Sequence, residues 1–122
     1  MKNLLFFSHN KKKVLEVEKI LRRRDIKIHN LNSYSEIKEP IENGKSFAEN
    51  AKIKSSCGLK EFNIPSFADD SGICIEALKN KPGIKSKRFL ETFGNIENAF
   101  EHIISKVINN KNDKAYFKTS IC

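Results

Sequence analysis

The chain has 122 residues, of which 31% are charged and 39% hydrophobic, and its formal net charge is +8. This length predicts a single domain, residues 1–122, with a core of its own, and the lack of a long apolar stretch argues against a membrane span. The positive excess favours polyanionic partners such as nucleic acid, acidic membrane or phosphorylated small molecules, although 19 lysines against 4 arginines weaken the nucleic-acid interpretation.

The first third of the chain predicts a strand, a helix and a second strand. The run LLFF at 4–7 is typical of a buried strand. Apolar residues then recur at helical spacing over 11–24, and either Ser8 or Asn10 is suited to cap this helix. The alternating segment 25–31 predicts the second strand. A β-α-β opening of this kind favours a layered α/β fold.

The middle of the chain predicts a loop at 33–45 and then a helix at 46–62. Ser46 followed three residues later by Glu49 has the pattern of a capping box at the start of this helix. Two short apolar segments, 64–68 and 73–78, flank an acidic pair and are interpreted as strands or as one continued strand.

The last part of the chain predicts a Pro-Gly loop at 79–89, an amphipathic helix at 95–109 and a strand at 114–122. The final residues are apolar, and from this we expect the sequence to be incomplete relative to its fold. The three cysteines form no CxxC pair, which argues against a disulfide framework or structural zinc. A reducing, cytoplasmic location is therefore expected.

The turn between the first strand and the first helix has residues suited to an anion. Ser8 and Asn10 are short polar residues at the start of the helix, and Lys13 adds a positive charge one turn later. Backbone N–H groups and the positive dipole end of a helix attract phosphate at such a position. An ordinary helix cap with solvated lysines is the alternative interpretation.

Asp69 and Asp70 are adjacent carboxylates with no lysine or arginine within eight residues on either side. On a strand they would point to opposite faces, so one of them can face a cleft. A carboxylate in a phosphate-binding cleft commonly holds Mg²⁺ or orients an attacking water, and Glu42 is a candidate for a second ligand. The alternative is a solvated turn in which aspartate caps backbone N–H groups beside Gly72.

Lys54 is a further candidate for a phosphate contact, and Arg88 is one of the four arginines. Lys54 lies one helical turn after Asn50 on the predicted helix 46–62, and Arg88 follows the Pro-Gly loop. A lone helical lysine is more often solvated than functional, so the spacing of Lys54 leaves both interpretations open.

Four segments, taken in order, resemble one family. They are SxNxxKxxE at 8–16, SFAENAKIKS at 46–55, FADDSG at 67–72 and PGIKSKRF at 82–89. Together they are similar to the motifs of the ITPase-like (HAM1-like) nucleoside triphosphate pyrophosphatases, which remove non-standard purine nucleotides. The resemblance runs from residue 1 to residue 122. It implies an α/β fold with a mixed central sheet flanked by helices.

The resemblance also implies an activity and a set of roles. The expected reaction is Mg²⁺-dependent hydrolysis of dITP, ITP or XTP to the monophosphate and pyrophosphate, by a cytoplasmic homodimer that binds neither membrane nor specific nucleic acid. Asp70 corresponds to the catalytic acid and metal ligand, and Glu42 to a second metal ligand. The residues that correspond to substrate contacts are Ser8, Asn10, Lys13, Lys54, Ser71 and Arg88.

The chain departs from the family pattern in two places. His9 stands where the family usually has a small residue. The C-terminal third of the pattern, which recognises the purine base, is absent, so the resemblance covers a single partial domain. Two other hypotheses therefore stand beside the enzyme: an inactive remnant that binds nucleotide phosphates without turnover, and a basic nucleic-acid-binding module.

Overall fold

The computed structural model describes residues 2–34 and 36–122 and separates into two compact units. The first unit comprises the chain up to Asp69 together with Ile121 and Cys122, and the second comprises Asp70–Ser120. Each unit contains a three-stranded sheet and helices. The predicted α/β class is confirmed, because helices and sheets both occur. The strand pairs of the first unit are parallel, and β4 and β5 of the second unit are antiparallel.

The first unit is built on a parallel sheet. Strand β1 (Lys2–Phe6) lies between β2 (Ile26–Asn30) and β3 (Ser66–Phe67) and runs parallel to both. Helix α1 (Lys11–Leu21) connects β1 to β2, which confirms the predicted β-α-β opening. Helix α2 (Phe47–Phe62) precedes β3.

The apolar run predicted as a buried strand supplies the core of this unit. Leu5 and Phe7 are almost completely buried, and they cluster with Leu31 and Ala68. Phe6 stacks on Phe67 of the neighbouring strand, with 4.9 Å between the ring centroids. Burial of apolar side chains is the main favourable contribution to folding. Because these side chains anchor β1 in the core, the segment that follows β1 has a fixed starting point.

Helix α2 lies close to the sheet, and Gly58 permits this approach. A Cβ atom at this position would overlap the Ser66 hydroxyl oxygen and lie 2.9 Å from Phe7 Cδ2 and 3.1 Å from Leu5 Cδ2. The buried Ser66 hydroxyl has no hydrogen-bond partner among the described residues. Residue 58 therefore sets the distance between the helix and the sheet.

The second unit contains a sheet in the order β5-β4-β6 and two helices. Its elements are β4 (Asp69–Ile75, with Asp69 itself in the first unit), β5 (Lys81–Pro82), α3 (Ser86–Thr92), α4 (Ile96–Asn110) and β6 (Ala115–Ile121, with Ile121 itself in the first unit). Strands β4 and β5 are antiparallel. The acidic pair lies inside β4 instead of between two strands, so the solvated-turn interpretation is wrong for Asp69, which is buried.

The prediction of a loop over 79–89 is wrong in its last part, because helix α3 begins at Ser86. The Ser86 hydroxyl donates to the Gly83 carbonyl at 2.6 Å and accepts from the backbone N–H of Ile73 at 3.0 Å. These two bonds stabilise the turn from which the helix starts. Phe89 and Phe93 then pack one turn apart, with 4.9 Å between ring centroids.

Helix α4 confirms the amphipathic helix predicted at 95–109, with the Asn95 side chain accepting from the backbone N–H of Asn98. Four of its apolar side chains follow a four-residue spacing and are each at least half exposed; they are Ile96, Phe100, Ile104 and Ile108. In the part of the chain that the structure describes, no helix has both the length and the apolar content of a membrane span.

We predict that Gly58→Ala destabilises the chain. Alanine improves helix propensity by about 1 kcal/mol, but crowding against Phe7 and Ser66 costs about 1–3 kcal/mol, so a net loss of about 1 kcal/mol is expected. Urea unfolding followed by circular dichroism measures this difference. Ser56→Ala, at an exposed position of the same helix, is the control, and equal stabilities of the two variants would contradict the prediction.

We also predict slow alkylation of Cys57. All three cysteines are free thiols, and Cys57 is partly buried whereas Cys122 is exposed. Burial raises the pKa of the Cys57 thiol, and the neighbouring Glu61 carboxylate raises it further. Since the thiolate is the reactive form, iodoacetamide should label Cys57 more slowly than Cys122 near pH 8. Mass spectrometry measures both rates, which should converge in urea; equal rates in the folded chain would refute this.

Candidate functional site

The turn after β1 is fixed by its own polar side chains. The Asn10 amide oxygen accepts from the backbone N–H of Lys13 at 3.1 Å, so Asn10 is the residue that caps α1. The Ser8 hydroxyl accepts from the backbone N–H of Asn10 at 3.1 Å. Ser8, Asn10 and Lys13 are thus held together at the start of a helix, where N–H groups and the helix dipole favour an anion.

Lys13 forms an ion pair with Asp69 inside the first unit. Its ammonium nitrogen lies 2.6 Å from Asp69 Oδ2. Asp69 is 8% exposed, which makes it a buried charged residue of this unit. A charge-assisted bond of this length is strong, and its position places one of the two adjacent carboxylates directly on a residue of the first turn of α1.

The loop that carries Glu42 is attached to helix α2. Asn50 is 2% exposed, and its amide oxygen accepts from the backbone N–H of Gly44 at 2.8 Å. The Glu49 carboxylate accepts from the backbone N–H of Lys45 at 2.7 Å, one residue before the position that a capping box uses. Gly44 is required here, because a Cβ atom would lie 2.5 Å from the Asn50 oxygen.

Glu42 forms an ion pair with Lys54 of helix α2. The Lys54 nitrogen lies 3.3 Å from Glu42 Oε1, and the Glu42 side chain is 37% exposed. Among the described residues of the first unit, the Lys13–Asp69 pair is short and buried at its acidic end, whereas the Lys54–Glu42 pair is longer and open to solvent. His9 and Glu39 form another pair at 2.8 Å on the surface.

The remaining predicted residues belong to the second unit. The Ser71 hydroxyl is hydrogen-bonded to Thr119 at 2.9 Å. Arg88 lines a cavity of 530 Å³ together with Phe89 and His102. Asp70 is the second residue of β4, so its side chain points to the opposite face of the strand from that of Asp69.

The donors present are compatible with Mg²⁺. No group of three metal-binding side chains occurs within residues 2–34 and 36–122, but Mg²⁺ in phosphate-handling sites commonly takes one or two carboxylates and completes its shell with water and phosphate. Glu42 offers a hard, partly exposed carboxylate of this kind. The predicted pairing of Glu42 with Asp70 on one ion stays a prediction.

Three residues of the site were missed by sequence reasoning. Asp69 was considered only as a neighbour of Asp70, although it contacts Lys13, 56 positions away. Asn50 was noted only for its spacing from Lys54, and Glu39 was not singled out. The available signal was the parallel sheet itself: residues that follow β1 and β3 meet at the same edge, which brings the Lys13 turn and Asp69 together.

Comparisons with known proteins agree on one family. The sequence profile of the Ham1 family matches residues 4–122. The chain is 38% identical over 120 residues to the dITP/XTP pyrophosphatase of Leptospira interrogans, covering 98% of this chain and 61% of the relative. It is 38% identical over 122 residues to the dITP/XTP pyrophosphatase of Acholeplasma laidlawii, covering 98% and 58%.

Solved structures give the same result. The HAM1 protein of Coxiella burnetii superposes with a TM-score of 0.83 at 28% identity, over 99% of this chain and 62% of that chain. The Ham1 protein of Staphylococcus aureus gives a TM-score of 0.81 at 28% identity, over 98% and 62%. The chain thus spans about three fifths of the length of the proteins that it matches.

We predict that Asn50→Ala loosens the Glu42 loop. The change removes the acceptor of the Gly44 N–H group, and loss of such a buried hydrogen bond costs about 1–3 kcal/mol. Hydrogen exchange measured by NMR should be faster at Gly44, while the amides of β1 keep their relative protection. Asn43→Ala, at an exposed position of the same loop, is the control; unchanged exchange at Gly44 in Asn50→Ala would show that the bond does not restrain the loop.

Proposed function

The chain belongs to the Ham1 family, and we propose from this membership that it acts on nucleoside triphosphates of the dITP/XTP type. The proposed reaction releases the nucleoside monophosphate and pyrophosphate. It is supported by the names of relatives that are 38% identical to this chain over 98% of its length. The chain spans about three fifths of the length of those relatives.

The observation that carries this proposal is the polar turn after β1. Asn10 caps α1, Ser8 supports the cap and Lys13 stands one turn along the helix, so hydroxyl, amide and ammonium groups surround a helix N-terminus. A triphosphate is a dense anion that such a group of donors suits. Lys54, in the same unit, is a second proposed phosphate contact.

Asp70 is the proposed catalytic carboxylate. In this role it orients the attacking water and accepts its proton. Glu42 and Asp70 are the residues that would hold Mg²⁺. When bound, this ion would neutralise phosphate charge and so favour attack.

The remaining roles are proposed from the family. Ser71 and Arg88 are proposed substrate contacts of the second unit. A homodimer and a cytoplasmic location are further proposals of the same origin.

The activity test is pyrophosphate release from dITP or XTP in the presence of Mg²⁺. We expect Asp70→Asn to lower kcat/KM about a thousandfold, because it removes a carboxylate proposed both as base and as metal ligand. Asp113→Asn, which removes an exposed carboxylate of the second unit, is the matched control and should retain activity.

The outcomes separate the hypotheses. Turnover that is indifferent to Asp70→Asn would remove the proposed mechanism. If no turnover is detected, calorimetry with the same nucleotides distinguishes a chain that binds triphosphate without hydrolysing it from one that does not bind it. Circular dichroism of each variant confirms that a loss of activity is not a loss of folding.

A further inference from the structure

We propose that Asp69 is the positioning residue of Lys13: its buried carboxylate holds the lysine ammonium at the phosphate-binding turn. The proposal rests on the proposed function, since it assigns Lys13 a phosphate ligand. The observation that carries it is the ion pair of 2.6 Å between Lys13 Nζ and Asp69 Oδ2. Asp70 retains its separate role.

The pair is buried at one end and open at the other. The Asp69 side chain is 12% exposed, whereas the Lys13 side chain is 36% exposed. A buried carboxylate that loses its counter-ion is strongly destabilised, so Asp69 keeps its contact with Lys13. The Lys13 side chain remains partly open to solvent.

Both residues are attached to backbone that is itself fixed. Ala68 is fully buried, and its N–H and C=O groups exchange hydrogen bonds of 2.9 and 3.0 Å with Cys122, which holds the chain just before Asp69. The backbone N–H of Lys13 donates to the Asn10 cap. The Lys54–Glu42 pair is longer and more exposed than the Lys13–Asp69 pair: its two atoms are 3.3 Å apart, and its carboxylate side chain is 37% exposed.

The chemistry of lysine explains how one ammonium can serve two partners. An ammonium group has three N–H donors. Asp69 takes one of them, which leaves two for phosphate oxygens. The flexible lysine side chain has then already lost its rotamer freedom in the ligand-free protein, so this cost no longer opposes binding.

An opposite role for Asp69 is physically conceivable and predicts the opposite sign. If the carboxylate only neutralised Lys13, its removal would raise the positive charge of the turn and strengthen phosphate binding. If it positions Lys13, its removal weakens binding because the ammonium is no longer held near the anion. The direction of the change in affinity therefore decides between the two.

The test is a double-mutant cycle in the full 122-residue chain. Calorimetry measures the binding of inorganic tripolyphosphate with MgCl₂ to the unchanged chain, Asp69→Asn, Lys13→Gln and the double variant. We expect Asp69→Asn to weaken binding by roughly tenfold to a hundredfold and to have no further effect once Lys13 is glutamine. Glu61→Gln, which removes an exposed carboxylate of the first unit, is the matched control and should leave the affinity unchanged.

Stronger binding in Asp69→Asn, unchanged binding, or an equal loss in both backgrounds overturns the proposal. Asp69→Glu keeps the charge but moves it by one methylene group, so it should show a smaller loss of affinity. It replaces Asp69→Asn in the cycle if the asparagine variant does not fold. Circular dichroism verifies the fold of each variant.

A second readout is independent of phosphate. In ¹⁵N correlation spectra of lysine-labelled chain, the Lys13 ammonium protons should exchange slowly with water and become fast in Asp69→Asn. Unchanged exchange overturns the proposal. If the unchanged chain does not bind tripolyphosphate, the proposed function fails, and this exchange measurement alone decides whether Asp69 positions Lys13.

Discussion

The parallel pairing of β1 with both of its neighbours is the constraint on which the first unit depends. Strands that run in one direction end at one edge of the sheet, so the segments that follow β1, β2 and β3 meet there. The backbone N–H of Leu31 donates to the Ser8 carbonyl at 3.2 Å across this edge. The capped turn and Asp69 are neighbours for the same reason, although they are far apart in the sequence.

Local signals in the sequence predicted the elements well. The Asn10 and Ser46 caps, the β-α-β opening and the periodic helix α4 all depend on residues within one or two turns of each other, and each is present. Helix α3 was missed because its seven residues follow Pro82 and Gly83, whose local preference is for a turn. Its start depends on the Ser86 hydroxyl bonding to Ile73 of another strand, which no local pattern reveals.

The candidate site was predictable in its residue types and less so in its contacts. The sequence motifs singled out Lys13, Lys54 and Glu42, but the partners of these residues are set by tertiary structure. Lys13 pairs with a residue 56 positions away. The Asn50 side chain accepts a hydrogen bond from the backbone N–H of Gly44. The net charge of +8 also gave little guidance, because both lysines proposed to bind phosphate are already paired with carboxylates.

Gly58 has a consequence for the mutational history of the chain. Every replacement of glycine adds at least a Cβ atom, and at this position that atom meets Ser66, Phe7 and Leu5. Helix α2 carries Asn50 and Lys54 one turn apart on the same face. Both side chains contact the loop that includes Glu42, so a displaced helix would also displace this loop. Position 58 is therefore expected to drift little among homologues that keep this loop, although it contacts no proposed ligand.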